Sequence, residues 1–382
     1  MGYNSLGLYV HIPFCLRKCF YCDFPSYSGM GHLMDPYLHA LKIELKNSST
    51  RIGDRKVNTI FFGGGTPTLY SSERLIDLLK YIKDTLCISQ DAEITIEANP
   101  ETLNGYKLEA LKDEGINRLS LGMQAGQEKH LRKLGRGHTL KDVRVNMDLA
   151  RSLGFDNINL DLIFGLPHQT LEEWVESLAI ACKFGAEHIS AYSLIIEEGT
   201  PFFEMLNGGS LNALDEDAER EMYHTGAELL KNQGYYHYEI SNFAKPGKEC
   251  AHNLIYWHNG EYIGIGSGAH SSLGGVRWSN HNGISTYIES ISQKGCAIES
   301  KQKISPAEQR FETIMMGLRL VKGVSKAKFY NRFGQGIRVY YGKAIDQLKG
   351  LGMLEETTEY IRHTEKGFDL QNQVLTYFMD EL

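Results

Sequence analysis

One repeating unit constrains the fold of this chain more than any other feature: a helix-like stretch, a glycine, then a β-branched apolar run. Four copies follow one another, with stretches at 108–114, 140–153, 171–184 and 218–233, glycines at Gly115, Gly154, Gly185 and Gly234, and runs at 117–122, 156–164, 188–194 and 235–240. Glycine suits the left-handed residue that closes a helix. Apolar runs such as 158–164 predict strands buried on both faces, the texture of a parallel sheet. Upstream, strands are predicted at 7–12, 57–62 and 93–97, with helices at 36–47 and 72–85 between them. The sum is about six or seven βα units, enough for a partial or full (β/α) barrel of the TIM type, whose chemistry lies at the C-terminal ends of its strands. A doubly wound open sheet is the alternative.

Such a barrel uses about 200–250 residues, and the chain has 382. The expected division is a barrel domain over 1–240, a connecting segment over 241–304 and a small domain over 305–382. The stretch 243–275 is rich in Gly, His and aromatics and reads as loops that build a site. From 305 onward the texture is helical, at 306–320, 325–333 and 341–351, followed by a predicted hairpin over 352–362 and 367–375. That order suggests a winged-helix-like domain. Lys326, Lys328, Arg332, Arg338, Lys343 and Lys349 crowd the segment 323–350 against one acid, Asp346. With a net charge of −7 for the whole chain, these cations read as a solvated face or a domain contact, and no nucleic-acid partner is expected.

No apolar run reaches about 18 residues, so no membrane-spanning helix is expected. The first ten residues carry no basic, apolar leader, so the expected compartment is the cytoplasm, where thiols stay reduced. The seven cysteines are odd in number, and three lie within eight residues, which suggests metal rather than disulfides.

Those three are Cys15, Cys19 and Cys22, in His11-Ile-Pro-Phe-Cys-Leu-Arg-Lys-Cys-Phe-Tyr-Cys, directly after the first strand. Thiolates favour zinc and iron–sulfur clusters. A structural zinc site needs four protein ligands, and no fourth cysteine is near. A 4Fe–4S cluster on three thiolates leaves one iron open for an exogenous chelate. The spacing is the signature of the radical S-adenosylmethionine (SAM) superfamily, which the chain resembles from Tyr9 to about residue 240. The resemblance implies that SAM chelates the open iron and that an electron from the cluster cleaves it to a 5′-deoxyadenosyl radical. The protein would position SAM and exclude water.

Further marks follow in order. Gly63-Gly64-Gly65-Thr66-Pro67 follows the strand at 59–62; by resemblance Gly64, Gly65 and Thr66 hold the methionine amino group. It is no phosphate-binding loop of the Walker type, because no Gly-Lys-Ser/Thr follows. Glu97 and Gln124 end successive strands, with Glu97 expected on ribose hydroxyls or the amino group. Arg136 is expected on the SAM carboxylate and Asp161, in Leu-Asp-Leu-Ile-Phe-Gly-Leu-Pro167, on the ribose. Tyr9 and Tyr21 flank the cluster. Within the superfamily the chain is similar to the oxygen-independent coproporphyrinogen III oxidase family over nearly its whole length. Two departures matter: Phe24 stands where the oxidase has a further Cys, and only fourteen residues precede Cys15. Both are features of the haem-chaperone branch of that family.

His252-Asn253-Leu254-Ile255-Tyr256-Trp257 matches the His-Asn-x-x-Tyr-Trp motif of the same branch. A neutral imidazole can ligate haem iron, and on a helix His252 and Tyr256 would share a face. The resemblance thus implies three cofactors or ligands: a 4Fe–4S cluster, SAM, and haem at His252, Asn253, Tyr256 and Trp257. Its implied partners are haem-accepting proteins and an electron donor, with association at a membrane surface left open. No decarboxylation of coproporphyrinogen III is expected. The rival readings are that oxidase and a radical SAM methyltransferase or cyclopropanase. Several signals are set aside. Gly264-Ile-Gly266-Ser-Gly268-Ala269 imitates a dinucleotide fingerprint but opens no helix, so a tight loop is expected. Cys87 and Cys182 read as small buried residues. Cys296 has no partner motif, and Cys250 is a rival soft ligand for haem. The stretch 197–201 reads as a loop after a barrel strand, with an acid near the site.

Overall fold

The computed structural model describes residues 6–379; Met1–Ser5, half of the stretch read as free of a leader, lie outside them. Six strands run parallel in chain order: β1 (Leu6–Ile12), β2 (Val57–Gly64), β3 (Ile88–Ala98), β4 (Arg118–Gln124), β5 (Ile158–Phe164) and β6 (His188–Ser193). Helices connect them. Two begin with capping boxes at Thr139 and Thr170, and Ser71 caps a third by accepting from the Arg74 amide. The predicted closers Gly115, Gly154, Gly185 and Gly234 all have positive φ, from +74° to +100°.

Register explains the core. Leu8 pairs with Ile60, Ile60 with Ile94, Ile96 with Leu119, Leu121 with Leu160, and Leu160 with Ile189. All are buried beneath the helices. The alternate residues form a second, polar layer: Tyr9–Phe61–Thr95–Arg118 and Glu97–Ser120–Asn159–His188. The strands are buried on both faces, as their texture suggested, but the second face is polar. Their inner face lines a cavity.

The sheet does not close on itself. β7 (Tyr236–Glu239) and β8 (Asn242–Ala244) add antiparallel strands beyond β6, while β9 (Glu261–Ile265) lies parallel on the far side of β1. Three antiparallel strands, β10 (His270–Leu273), β11 (Val276–Asn280) and β12 (Ile298–Lys303), complete a twelve-stranded open sheet. The expected loop region at 243–275 thus supplies strands and the helix Ala251–Trp257. The false dinucleotide fingerprint is the tight turn between β9 and β10. Buried Glu44 pins it, accepting from Gly266 N at 2.8 Å, Asn280 Nδ2 at 2.6 Å and the Tyr287 hydroxyl at 2.6 Å.

The C-terminal domain has winged-helix order: helix Pro306–Gly317, β13 (Val324–Ser325), helices Lys326–Phe333 and Ile337–Gly350, then β14 (Leu354–Glu356) and β15 (Tyr360–His363). The expected second hairpin arm at 367–375 is helical instead. Thr364 caps its start by accepting from Gly367 N, and Val374 and Phe378, four apart on one face, pack into this domain's own core. Glu356 meets Lys326 at 2.9 Å, Arg338 at 2.6 Å and Lys349 at 3.0 Å, and Arg332 donates to the Asn259 carbonyl of the barrel at 2.6 Å. The basic stretch is thus a paired surface and a domain contact. Cys182 is half-buried, but Cys87 follows its helix and is exposed, not buried as expected.

Candidate functional site

At the C-terminal end of β1 the chain enters the cysteine loop. A two-residue parallel bridge, Phe14–Cys15 with Tyr27–Ser28, closes it. Phe20 N donates to the Leu134 carbonyl at 3.1 Å, and Phe202 N to the Phe20 carbonyl at 3.0 Å, anchoring the loop on a small apolar core of Leu131, Leu134 and Phe202. Arg17 pairs with Glu101 at 2.9 Å. The glycine-rich loop after β2 is stitched alongside: Gly65 N donates to the Ile12 carbonyl and Thr66 N to the Phe14 carbonyl, both at 2.8 Å. A methyl group on Gly65 would stand 2.9 Å from Cys15 Sγ and 2.7 Å from the Phe14 carbonyl, so only glycine permits this approach.

Cys15, Cys19 and Cys22 are free and half-buried. Among the described residues no three His, Cys, Asp or Glu side chains converge on a point that would hold a single metal ion. Three soft donors on one loop, backed by a glycine cradle, suit an iron–sulfur cluster. Burial pushes the Cys15 and Cys19 thiols up, with Arg136 opposing the effect at Cys19. Ligation therefore releases protons.

Gln124 and Arg136 stand beside this loop. Gln124 ends β4 with φ +67°, a left-handed conformation unusual for a residue with a side chain. Arg136 donates through Nη2 to the Tyr21 hydroxyl at 2.7 Å and keeps a buried Nε with no partner among the described residues. A Cβ on Gly122 would meet Gln124 Nε2 at 2.7 Å and Arg136 Nη1 at 3.6 Å, which places the two side chains together. Gly64 N donates to Glu97 Oε2 at 3.1 Å and so links this mouth to the barrel interior.

The interior is a cavity of about 200 Å³ lined by Tyr9, Glu97 and Asp161 together with His252, Asn253 and Tyr256. The structure thus brings three of the expected SAM residues and three of the expected haem residues into one space. Gly64, Gly65, Thr66, Gln124, Arg136 and Tyr21 lie at the mouth and do not line it. Asp161 accepts from Ser120 at 3.0 Å and Asn159 at 2.8 Å. Burial, helped by the Asp161 charge, pushes the Glu97 carboxyl up to about 8. Arg118, Ser120, Asn159, His188, Ser190 and Tyr192 also line the cavity and escaped the sequence reading. Their signal was present as polar residues at every second position of otherwise apolar strands.

Helix Ala251–Trp257 plugs the opposite end of the barrel. Its Ala251 and His252 amides donate to the Glu93 carboxylate at 3.0 and 3.1 Å. His252 is 1% exposed. Its Nδ1 bonds Thr59 Oγ1 at 2.7 Å, its Nε2 bonds the Tyr256 hydroxyl at 2.8 Å, and its ring stacks on Phe61. Burial pushes its pKa down to about 3. Both ring nitrogens are thus committed within the protein. Cys250 is buried 3.6 Å from Glu93, and burial pushes its thiol up to about 12, so no thiolate is offered there. Trp257 faces away from the interior, toward the C-terminal domain.

An open barrel carrying a three-cysteine loop and a glycine cradle at its strand ends defines a radical SAM protein. Residues 9–181 match the radical SAM superfamily, and residues 304–370 match the HemN C-terminal domain. The heme chaperone HemW of Bacillus subtilis is 40% identical over 375 residues, covering 98% of this chain and 99% of that protein. That of Escherichia coli is 37% identical over 381 residues, covering 98% of each. The solved structure of the Escherichia coli coproporphyrinogen III oxidase HemN, a radical SAM enzyme, superposes with a TM-score of 0.86 at 23% identity, over 99% of this chain and 91% of that one. That likeness speaks to the fold alone. The chain belongs to the HemW family, and the superfamily implies a 4Fe–4S cluster and SAM. Among the described residues no helix is long and apolar enough to cross a membrane.

Proposed function

We propose that this chain carries haem to acceptor proteins, with a 4Fe–4S cluster on Cys15, Cys19 and Cys22 and SAM beside it. The observation that carries this reading is the likeness, end to end, to proteins named heme chaperones. Phe24 supports it: the position that is Cys in the oxidase family holds a phenyl ring that is 62% exposed. Gly64, Gly65 and Thr66 offer backbone groups to the methionine end, and Arg136, held by Tyr21, faces its carboxylate with Gln124 alongside. Tyr9, Glu97 and Asp161 receive the ribose and amino groups from within. When bound, the cluster supplies the electron for SAM cleavage. Burial favours the protonated form of Glu97, and a cationic group beside it would favour the carboxylate. Seven free cysteines suit a reducing cytosol, and the cluster's electron would come from an external one-electron donor.

The test is anaerobic incubation of the reconstituted protein with coproporphyrinogen III, SAM and a low-potential reductant, and separately with haem and a haem-free acceptor. Haem transfer without protoporphyrinogen formation is expected. Catalytic decarboxylation would overturn the reading in favour of the oxidase.

A further inference from the structure

Helix Ala251–Trp257 is a wall with two sides. Its His252, Asn253 and Tyr256 face the barrel interior, while Leu254 and Trp257 line a second cavity between β7 and the C-terminal domain. That cavity measures about 490 Å³, within the range of about 300–1,000 Å³ for small-molecule sites. Main-chain bonds between the domains frame it, from Val321 N to the Tyr238 carbonyl at 3.1 Å and from Ile240 N to the Arg319 carbonyl at 3.0 Å. Flat rings make up much of its lining, with Tyr236, Tyr238, Tyr360 and Trp257 exposed to it. The Trp257 indole Nε1 is buried without a partner among the described residues.

Two imidazoles line this space. His237 is committed, stacked on Phe243 with ring centres 4.4 Å apart and with Nε2 3.4 Å from both the Tyr223 hydroxyl and the Ile240 carbonyl. His258 directly follows the recognised six-residue motif and has no side-chain hydrogen bond or ion pair among the described residues. Burial and the neighbouring Lys328 charge push it down to about 4, so its ring is neutral and keeps a lone pair at physiological pH. Lys322, Lys328 and Glu249 are the charged residues of the lining. A large flat apolar body, a metal that takes an imidazole and an anionic edge would each find a complement here.

We infer that this junction cavity seats haem, with the His258 imidazole on the iron, Trp257 and the three tyrosines against the macrocycle, and Lys322 toward the propionates. The inference rests on the haem-carrying function proposed above and moves the iron ligand from His252 to a residue outside its motif. His252 then acts as part of the wall's other face.

Titration of the full-length, anaerobically reconstituted protein with ferric haem tests it by absorbance and resonance Raman spectroscopy. In His258→Ala the signature of an imidazole-ligated iron should vanish, affinity should fall about tenfold or more, and added imidazole should restore the signature. In Val321→Trp, which fills the cavity, stoichiometric haem binding should be lost while iron and sulfide content is unchanged. Wild-type spectra and affinities in both variants would overturn the assignment and leave the haem-carrying function standing. Failure of the wild-type chain to take up haem would overturn both.

Discussion

The two ends of the barrel are built on opposite rules. At the mouth, Gly65 and Gly122 stand where any side chain would collide with the surrounding groups. There Thr66 Oγ1 lies 3.9 Å from Cys15 Sγ and Ser26 Oγ 3.9 Å from Cys22 Sγ, and Arg136 keeps a donor unused among the described residues. At the base, His252 has both nitrogens bonded and Glu93 closes two helix amides. One end leaves bonding capacity for a ligand, and the other has consumed it. A histidine in a named motif and a cysteine in a named motif look equally functional as strings. Their hydrogen-bond inventories separate them.

The largest effect that would sharpen this contrast is all-or-none. Replacing Cys15, Cys19 and Cys22 by Ala should abolish the cluster, expected at about four irons and four sulfides per chain, without unfolding the protein. Full retention of iron in that triple variant would break the picture at the mouth. At the base the effect should fall on stability. His252→Ala removes a packed ring and strands the Thr59 and Tyr256 hydroxyls, a loss of about 2–5 kcal/mol measurable by denaturant unfolding, with cluster content per folded molecule retained. A variant as stable as the parent would show that His252 is not the plug described here.

Legibility in the sequence followed locality. The glycine-closed helices could be read because a left-handed closer is decided by its own residue. The cysteine loop could be read because its donors fall within a span of eight residues. β9 was missed because its partner is β1, far away in the chain, with Leu8 against Ile263 and Val10 against Ile265. A five-residue strand paired that way leaves little periodicity of its own. The polar interior was missed for a different reason: Arg118 and Ser120, Asn159 and Asp161, and His188 and Ser190 do alternate, but each run is dominated by its apolar partners. That His252 and Asp161 line one cavity follows only from the helix folding back under the barrel.

Between the two ends, smaller effects grade the comparison. Asp161→Asn should weaken SAM binding by about 10- to 150-fold, the loss of a charge-assisted contact of ~1.5–3 kcal/mol, checked by calorimetry. The interior should also leave a mark on the pH dependence of the SAM-free protein. Unfolded Glu97 ionises near 4.5, whereas the folded chain holds its proton up to about 8. The folded state binds more protons between those values, so raising the pH through that window should lower stability. Glu97→Gln should remove that slope in a pH series of unfolding curves. The smallest effect belongs to the surface of the mouth. Arg17, about half exposed, pairs with Glu101, and Arg17→Ala should cost no more than about 1 kcal/mol with cluster reconstitution unchanged.

A sheet that never closes has two edges, and an edge is an invitation to another chain's strand. β12 forms one, and its Glu299, Lys301 and Lys303 are exposed there, so an incoming strand would meet a charge at every second position. β7 forms the other, and its sequence, Tyr-His-Tyr-Glu, carries no such defence. The segment that precedes the winged-helix strands covers it instead, through the Val321 bond to Tyr238 and the bridge between Glu239 and Leu320. The small domain is therefore the barrel's protection against self-association on that side. Its loss should show first as aggregation, before any chemistry at the mouth is touched.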